Sequence, residues 1–276
     1  MDNRAIGIFD SGVGGLTVLA QIRKELPNED IIYLGDTQNF PYGNKTKEQI
    51  IECSIKNVET LIKKGVKIIV IACGTATSQA IEELQAKFEV PIIGIIEPTV
   101  QYIQSQNYKE IGVIATQGTI RSGAWEQKLK QSVHGIKVTN KACPMLAEIA
   151  EEGHAQSEQG RKAIKEYMEP FKEEMIDKII LGCPHYPIYE DIIRDELGYE
   201  VELINTGVTV SKYLQKYLKD NDLENQEEIK NEKIFLTKAE KRFKEIAENI
   251  LGENLDIQAI WGYNNNMRLR RKYVFD

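Results

Sequence analysis

The sequence has no long apolar run and no excess of positive charge. None of its apolar stretches approaches the roughly 18 residues that suggest a membrane helix, and the chain does not open with the charged and then apolar segments of a signal peptide. Lys and Arg number 35 against 42 Asp and Glu, and the resulting net charge of −7 argues against a nucleic-acid surface. We therefore expect a cytoplasmic protein with no membrane and no nucleic acid among its partners.

Cysteine and histidine are also scarce. Four cysteines in 276 residues do not resemble a disulfide framework, and a reducing compartment would keep their thiols free. No Cys or His spacing is typical of a metal site, so we expect no metal. The glycine-rich DSGVGG segment at 10–15 has Thr17 where a dinucleotide-binding motif has its third glycine, and it lacks the lysine of a P-loop. Nucleotide binding is therefore not expected.

Two matched segments stand out against these absences. KIIVIACGTATS at 67–78 and KIILGCPHYP at 178–187 each contain an Ile-rich run typical of a buried strand, and each run leads to a cysteine. A single cysteine in such a position commonly packs in the core. Two of them at matched strand ends, where α/β proteins bind ligands, favour one site with two thiols, Cys73 and Cys183. Each also precedes an expected helix start, whose dipole would favour a thiolate.

Short apolar runs alternate with amphipathic stretches along the chain. AIGIF at 5–9 opens the pattern, which restarts near 110, and this alternation predicts two related α/β halves, each a mostly parallel sheet flanked by helices. We expect one domain from 1–97 plus 208–276 and a second from 98–207, with linkers near 97–99 and 205–208. The polar stretch 219–233 is expected to be an exposed loop, and the basic tail a solvated terminus.

Two thiols suit a reaction that removes a proton from one face of an α-carbon and returns one to the other face. Such a reaction needs an acid and a base on opposite sides of the carbon, and cysteine has a tunable pKa. Asp10, at the end of the first strand, is a candidate to orient a base or hold an ammonium group, although an aspartate there is as often a helix cap. His185 is a candidate to assist Cys183, although lone histidines are often core residues. The pattern favours a cofactor-free racemase.

Several motifs together resemble the glutamate racemases of the aspartate/glutamate racemase superfamily. They are GIFDSGVGGLTVL, the loop GDTQNFPYGNKT, the two strand-end cysteines, CP followed by EEG, and GCPHYP. The resemblance implies a pyridoxal-free two-base mechanism without a cofactor, the supply of D-glutamate for peptidoglycan, and an amino-acid substrate bound between two pseudo-symmetric domains. It also implies a homodimer.

The resemblance further implies roles for individual residues. Cys73 and Cys183 would be the acid/base pair, Asp10 would assist Cys73, and His185 would assist Cys183 together with Glu151, which has Glu152 as its neighbouring alternative. The positions at which the family contacts the amino acid are Ser11, Pro41, Tyr42, Gly43, Gly74, Thr75, Thr116, Gly118, Thr119 and Pro184.

Two of these positions depart from the family pattern. The family has Asn after the first cysteine and Thr after the second, where this chain has Gly74 and Pro184. Each lost hydrogen bond to a charged group is worth about 1.5 to 3 kcal/mol. A racemase of another amino acid such as aspartate, or a non-catalytic amino-acid-binding relative, therefore remains an alternative. Retention of both cysteines, Asp10 and His185 speaks against the non-catalytic one.

Overall fold

A computed structural model describes residues 2–226, 231–252, 255–260 and 271–273. Within these ranges the strands form two separate sheets. The strands of the first sheet are β1 (Ile6–Asp10), β2 (Ile31–Gly35), β3 (Ile68–Ile71), β4 (Ile92–Gly94), β9 (Glu232–Leu236), β10 (Ile257–Ile260) and β11 (Arg271–Tyr273). Their order across the sheet is β11-β10-β9-β2-β1-β3-β4. Every pairing in this sheet is parallel except that of β10 with β11.

The second sheet is smaller and parallel throughout. Its strands are β5 (Glu110–Ala115), β6 (Lys137–Ala142), β7 (Lys178–Leu181) and β8 (Glu202–Asn205). Their order is β6-β5-β7-β8. In the first sheet β1 and β3 are buried over all their residues, and in the second sheet β5 and β7 are buried over all but their first residue. Burial on both faces explains why these strands read as continuous apolar runs rather than alternating ones.

Helices cover both sheets. They are α1 (Gly15–Glu25), α2 (Lys47–Lys63), α3 (Gly74–Lys87), α4 (Ile96–Gln106), α5 (Gln117–Ser122), α6 (Ala124–Ser132), α7 (Pro144–Glu151), α8 (Glu158–Glu173), α9 (Glu190–Leu197), α10 (Thr206–Asp220) and α11 (Lys241–Leu251). Short 3-10 helices occupy Tyr42–Asn44 and Tyr186–Tyr189. The predicted fold class, mostly parallel sheets flanked by helices, is confirmed. Among the described helices none is long and apolar enough to cross a bilayer.

The predicted linkers, near 97–99 and 205–208, coincide with the starts of two helices. Residues 97–99 lie in the first turn of α4, and residues 206–208 begin α10. These two helices pack together, and the buried hydroxyls of Thr99 and Thr209 lie 2.6 Å apart. Ile96, Pro98 and Thr99 are buried, so this stretch contributes to the core instead of forming an exposed connection. The division into domains 1–97 plus 208–276 and 98–207 stays a prediction.

The polar stretch and the basic tail are described only in part. α10 continues to Asp220, while residues 227–230 and 261–270 lie outside the described residues. Arg268 and Arg270 of the basic tail are therefore outside them as well. The backbone of Arg271 and Lys272 pairs with β10 as part of β11, so this segment is an edge strand of the first sheet.

Both strand-end cysteines occupy equivalent places. β3 ends at Ile71, two residues before Cys73, and β7 ends at Leu181, two residues before Cys183. α3 starts directly after Cys73, as expected. The expectation of a helix directly after Cys183 is wrong, because a turn and a 3-10 helix precede α9. Pro187 has no N–H with which to continue an α-helical ladder there.

Candidate active site

A cavity lies where the carboxyl ends of the two sheets face each other. Its enclosed volume is about 20 Å³, which is room for about one water molecule. Both Cys73 and Cys183 line it. The other predicted residues that line it are Asp10, Ser11, Pro41, Tyr42, Gly43, Gly74, Thr75, Thr116, Pro184 and His185. The structure thus brings most of the predicted site residues together around one space.

The sequence analysis missed several residues of the cavity wall. They are Phe40, Asn44, Gln117, Pro144, Ala147 and Glu148. Phe40 and Asn44 belong to the loop already noted as a motif. Pro144, Ala147, Glu148 and Glu151 recur at spacings of three and four, which places them on one face of α7. That helical spacing was a readable signal for a wall of the site.

The Cys73 thiol is held at the start of α3. The N–H of Ala76 donates to its Sγ at 3.4 Å, and the Ser11 hydroxyl lies 3.9 Å from the same sulfur. Burial raises the pKa of the Cys73 thiol far above its usual range, and the Asp10 carboxylate raises it further, while the Ala76 N–H partly offsets both. The start of α3 thus favours the Cys73 thiolate, as expected, but desolvation outweighs this effect.

Asp10 is completely buried and only half satisfied. Its Oδ2 accepts a hydrogen bond from the Gly12 N–H at 2.9 Å, while within the described residues its Oδ1 has no hydrogen-bond partner. Burial raises the pKa of Asp10 to about 6, and the positive charge of His185 and the Gly12 N–H limit the rise. A carboxyl group that titrates near neutrality beside a thiol is suited to proton transfer.

Cys183, His185 and Glu151 form a linear chain of contacts. The Cys183 Sγ lies 3.5 Å from His185 Nδ1, and His185 Nε2 lies 2.7 Å from Glu151 Oε1. Burial lowers the pKa of His185, but the Cys183 thiolate and the Glu151 carboxylate outweigh burial and raise it well above the usual value. Both neighbours of His185 therefore favour its protonated form. Glu152 points elsewhere, with its carboxylate 3.6 Å from His154, so Glu151 is the glutamate that contacts the histidine.

The loop between β1 and α1 contacts His185 and Glu151, which belong to elements around the second sheet. The N–H of Val13 donates to Glu151 Oε1 at 2.5 Å, and the N–H of Gly14 lies 3.2 Å from His185 Nε2. A Cβ on Gly12 would lie 2.0 Å from Glu151 Oε1, and one on Gly14 would lie 2.3 Å from His185 Nδ1. The glycines of DSGVGG therefore allow the close approach of a carboxylate and an imidazole.

Three threonine hydroxyls converge on one wall of the cavity. Thr75 and Thr116 lie 2.8 Å apart, and Thr116 and Thr119 lie 2.9 Å apart, measured between their Oγ1 atoms. Thr75 starts α3 and Thr116 caps α5, so both halves contribute. Thr119 belongs to this cluster but does not line the cavity. Gly118 does not line the cavity either; a Cβ there would lie 2.9 Å from the Gly43 carbonyl, so its lack of a side chain permits backbone packing.

A buried carboxylate holds the loop that carries Pro41, Tyr42 and Gly43. Asp36 accepts hydrogen bonds from the Tyr42 hydroxyl at 2.5 Å and from the Thr237 hydroxyl at 2.8 Å, and Asn39 donates to it as well. Asn57 donates to the Tyr42 hydroxyl at 3.0 Å. Sequence reasoning did not select Asp36, because a lone aspartate after a strand carries no signal of the three side chains that donate to it.

Gly74 and Pro184 both lie at the junction of the two halves. A Cβ on Gly74 would lie 2.3 Å from the Gly182 carbonyl oxygen. The Pro184 carbonyl accepts a hydrogen bond from the Thr17 hydroxyl at 2.7 Å. The departures from the family pattern thus accompany a close backbone approach of the two cysteine-bearing segments.

The described residues of the site do not form a metal-binding cluster. Among the described residues no group of three or more His, Cys, Asp and Glu side chains is arranged to hold a metal ion. Asn205 caps α10 through a 2.9 Å hydrogen bond from the Gly207 N–H and lies outside the cavity wall. Asp10, His185 and Glu151 are the predicted assisting residues, and all three lie near the two thiols.

We predict that Asp10→Asn stabilises the protein, increasingly so as the pH rises from about 4 to about 7. The pKa of Asp10 is about 6 in the folded state against an ordinary 3.8, so the folded form binds the proton more tightly and loses stability as pH rises through this window. Two pKa units correspond to about 3 kcal/mol. Asparagine has no charge to bury. Urea unfolding of both proteins at the two pH values measures the effect, and Asp195→Asn, at an exposed site, is the control. A constant difference between Asp10→Asn and wild type would contradict the prediction.

Comparisons with known proteins agree with this geometry. Residues 14–211 match the Asp/Glu/Hydantoin racemase family model. A glutamate racemase of Bacillus cereus is 38% identical over 256 residues, covering 92% of this chain and 95% of its own length. The crystal structure of a Bacillus anthracis glutamate racemase isoform superposes with a TM-score of 0.90 at 34% identity, covering 94% of this chain and 98% of that one. A Francisella tularensis glutamate racemase in complex with D-glutamate has a TM-score of 0.87 at 34% identity, covering 93% and 97%. The chain belongs to the Asp/Glu/Hydantoin racemase family.

Proposed function

We propose that this protein is a glutamate racemase that interconverts L- and D-glutamate with two cysteine bases and no cofactor. The observation that carries the proposal is the presence of two thiols, one from each sheet, on the wall of a single cavity. The relatives that are named glutamate racemases cover nearly the whole chain and supply the choice of substrate. D-glutamate for peptidoglycan is the proposed product in the cell.

In the proposed mechanism one cysteine is a thiolate and the other a thiol at the start of each turnover. The thiolate removes the α-proton from one face of the bound amino acid, and the opposite thiol donates its proton to the other face. His185 stabilises the Cys183 thiolate through Nδ1, and Glu151 orients the imidazole. Asp10 is proposed to take or return the Cys73 proton. The α-ammonium group of the substrate lowers the cost of a buried thiolate, which burial makes high in the empty site.

The rest of the cavity wall suits an amino acid with carboxylate groups. The hydroxyls of Thr75 and Thr116, together with the N–H groups at the starts of their helices, are suitable donors for a carboxylate. Ser11 lies beside Cys73 and is proposed to contact the substrate there. Pro41, Tyr42 and Gly43 are proposed to enclose it, because the Asp36 network fixes their loop over the cavity.

A racemase of another amino acid such as aspartate is the second candidate. Gly74 and Pro184 favour it, because they leave the backbone without two polar side chains that the family pattern has at the substrate. A non-catalytic binding protein is disfavoured, since binding alone needs neither the two thiols nor the Cys183, His185 and Glu151 chain. The homodimer and the cytoplasmic location remain predictions.

We predict that Cys73→Ala and Cys183→Ala each abolish racemisation of glutamate, lowering the rate by at least about 10²- to 10⁴-fold, because each variant lacks one of the two proton-transfer groups. Circular dichroism of L-glutamate and of D-glutamate solutions follows the reaction in both directions. Cys53→Ala, on α2 and outside the cavity wall, is the control and should retain activity. Full activity in either cavity variant would refute the two-base assignment.

We also predict that Gly74→Ala lowers racemisation by about 10- to 100-fold. The new Cβ would lie 2.3 Å from the Gly182 carbonyl and would separate the two cysteine-bearing segments, and a misplacement of about 1 Å costs about 100-fold in rate. Gly74→Asn, which restores the residue of the family pattern, should be at least as slow. Ser78→Ala, on the same helix but outside the cavity wall, is the control. Wild-type rates for Gly74→Ala would show that the close approach is not needed.

A further inference from the structure

A second cleft adjoins the substrate cavity, with which it shares Phe40, Pro41 and Glu148. Glu151 lines this second cleft but not the substrate cavity, and neither thiol lines it. Arg242 donates to the Glu152 carbonyl at 2.9 Å across this cleft. The side chain of Glu151 is 18% exposed, whereas that of His185 is 2% exposed. Glu151 therefore separates a buried imidazole from an open, solvent-accessible cleft.

The proposed function, on which this inference rests, creates a need for such a route. After each turnover the thiol that began as a thiolate holds a proton, and the other thiol has lost one. Before the same enantiomer can react again, one thiol must release a proton to solvent and the other must gain one. Cys73 and Cys183 are each only 4% exposed, so direct exchange with bulk water is restricted.

We propose that Cys183 exchanges its proton with solvent through His185 and Glu151 into the second cleft, and not through the substrate cavity. The Cys183 S–H proton passes to His185 Nδ1, the proton on His185 Nε2 passes to Glu151 Oε1, and the Glu151 carboxyl releases it to water in the cleft. Cys183 is left as a thiolate, His185 changes from a neutral ring protonated on Nε2 to one protonated on Nδ1, Glu151 returns to the carboxylate, and the solvent gains one proton. The reverse sequence protonates the thiolate.

The contacts along the route support transfer in both directions. The two steps inside the protein span 3.5 Å and 2.7 Å. When the proton has moved from His185 Nε2 to Glu151, the Gly14 N–H, at 3.2 Å from that nitrogen, is in place to donate a hydrogen bond to its lone pair. The backbone thus stabilises the ring in the form that the transfer produces.

The Cys73 side has no matching exit. Asp10 is fully buried and lines the substrate cavity but not the second cleft. Its proton must therefore pass through the substrate cavity, which the bound amino acid fills. The two thiols consequently differ in how they communicate with solvent, although they occupy equivalent places in the two halves.

The test is the dependence of the racemisation rate on total glutamate near equilibrium, in wild type and in Glu151→Gln. The glutamine oxygen can still accept from Val13 and His185, but the side chain cannot carry a proton to the cleft. When the two thiols return slowly to their starting protonation states, the enzyme rebinds product before they have done so. The net rate of racemisation then falls as total glutamate rises. We expect this inverse dependence in Glu151→Gln and its absence in wild type and in the neighbouring control Glu152→Gln.

Glu151→Asp keeps a titratable carboxyl group, so it should not show the inverse dependence on glutamate even if its rate is lower.

If Glu151→Gln does not turn over, Glu151→Ala with added formate is tested in its place. The shorter side chain leaves room for formate to reach His185 from the cleft. Restored turnover with formate supports the route, and no restoration contradicts it. A Glu151→Gln rate that is lowered equally at all glutamate concentrations would show that Glu151 only positions His185. Absence of racemisation in wild type would refute the proposed function instead.

Discussion

The backbone N–H of Val13 donates to the carboxylate that contacts His185, and the N–H of Gly14 lies against the His185 ring, while Asp10, at the end of β1, interacts with Cys73. Residues 10–15, from the end of β1 to the start of α1, thus link the surroundings of both thiols. The loop belongs to the first sheet, and His185 and Glu151 come from elements around the second. The assembly of the site therefore depends on the two halves meeting at this loop, and glycines at 12 and 14 are what allow them to meet.

The two thiols experience different electrostatic surroundings despite their equivalent positions. Burial and the Asp10 carboxylate raise the pKa of the Cys73 thiol, whereas Cys183 contacts His185, whose own pKa is raised by Cys183 and Glu151 despite burial. Burying Asp10 with one oxygen that has no hydrogen-bond partner among the described residues costs stability. In the proposed mechanism this cost accompanies a proton-transfer role for Asp10.

Much of this arrangement could be predicted from the sequence, because strand ends are local features. The Ile-rich runs before Cys73 and Cys183 fix where the strands end, and parallel sheets bring such ends to one edge. Contacts between distant segments left no comparable signal: the link from Glu151 to Val13 joins residues 138 positions apart. The choice between Glu151 and Glu152 needed the direction of one turn of α7. The sequence also did not show that the predicted linker near residue 97 forms the first turn of a helix with buried residues.

Proton NMR of L-glutamate and of D-glutamate incubated with the protein in D₂O tests the central claim most directly, with L-aspartate in parallel. Two thiols on opposite faces of one α-carbon predict that the α-proton signal disappears from both glutamate enantiomers and that optical rotation decays to zero. Exchange with aspartate alone would identify aspartate as the substrate and leave the two-cysteine mechanism unchanged. Binding of glutamate without any loss of the α-proton signal from any amino acid would contradict the account.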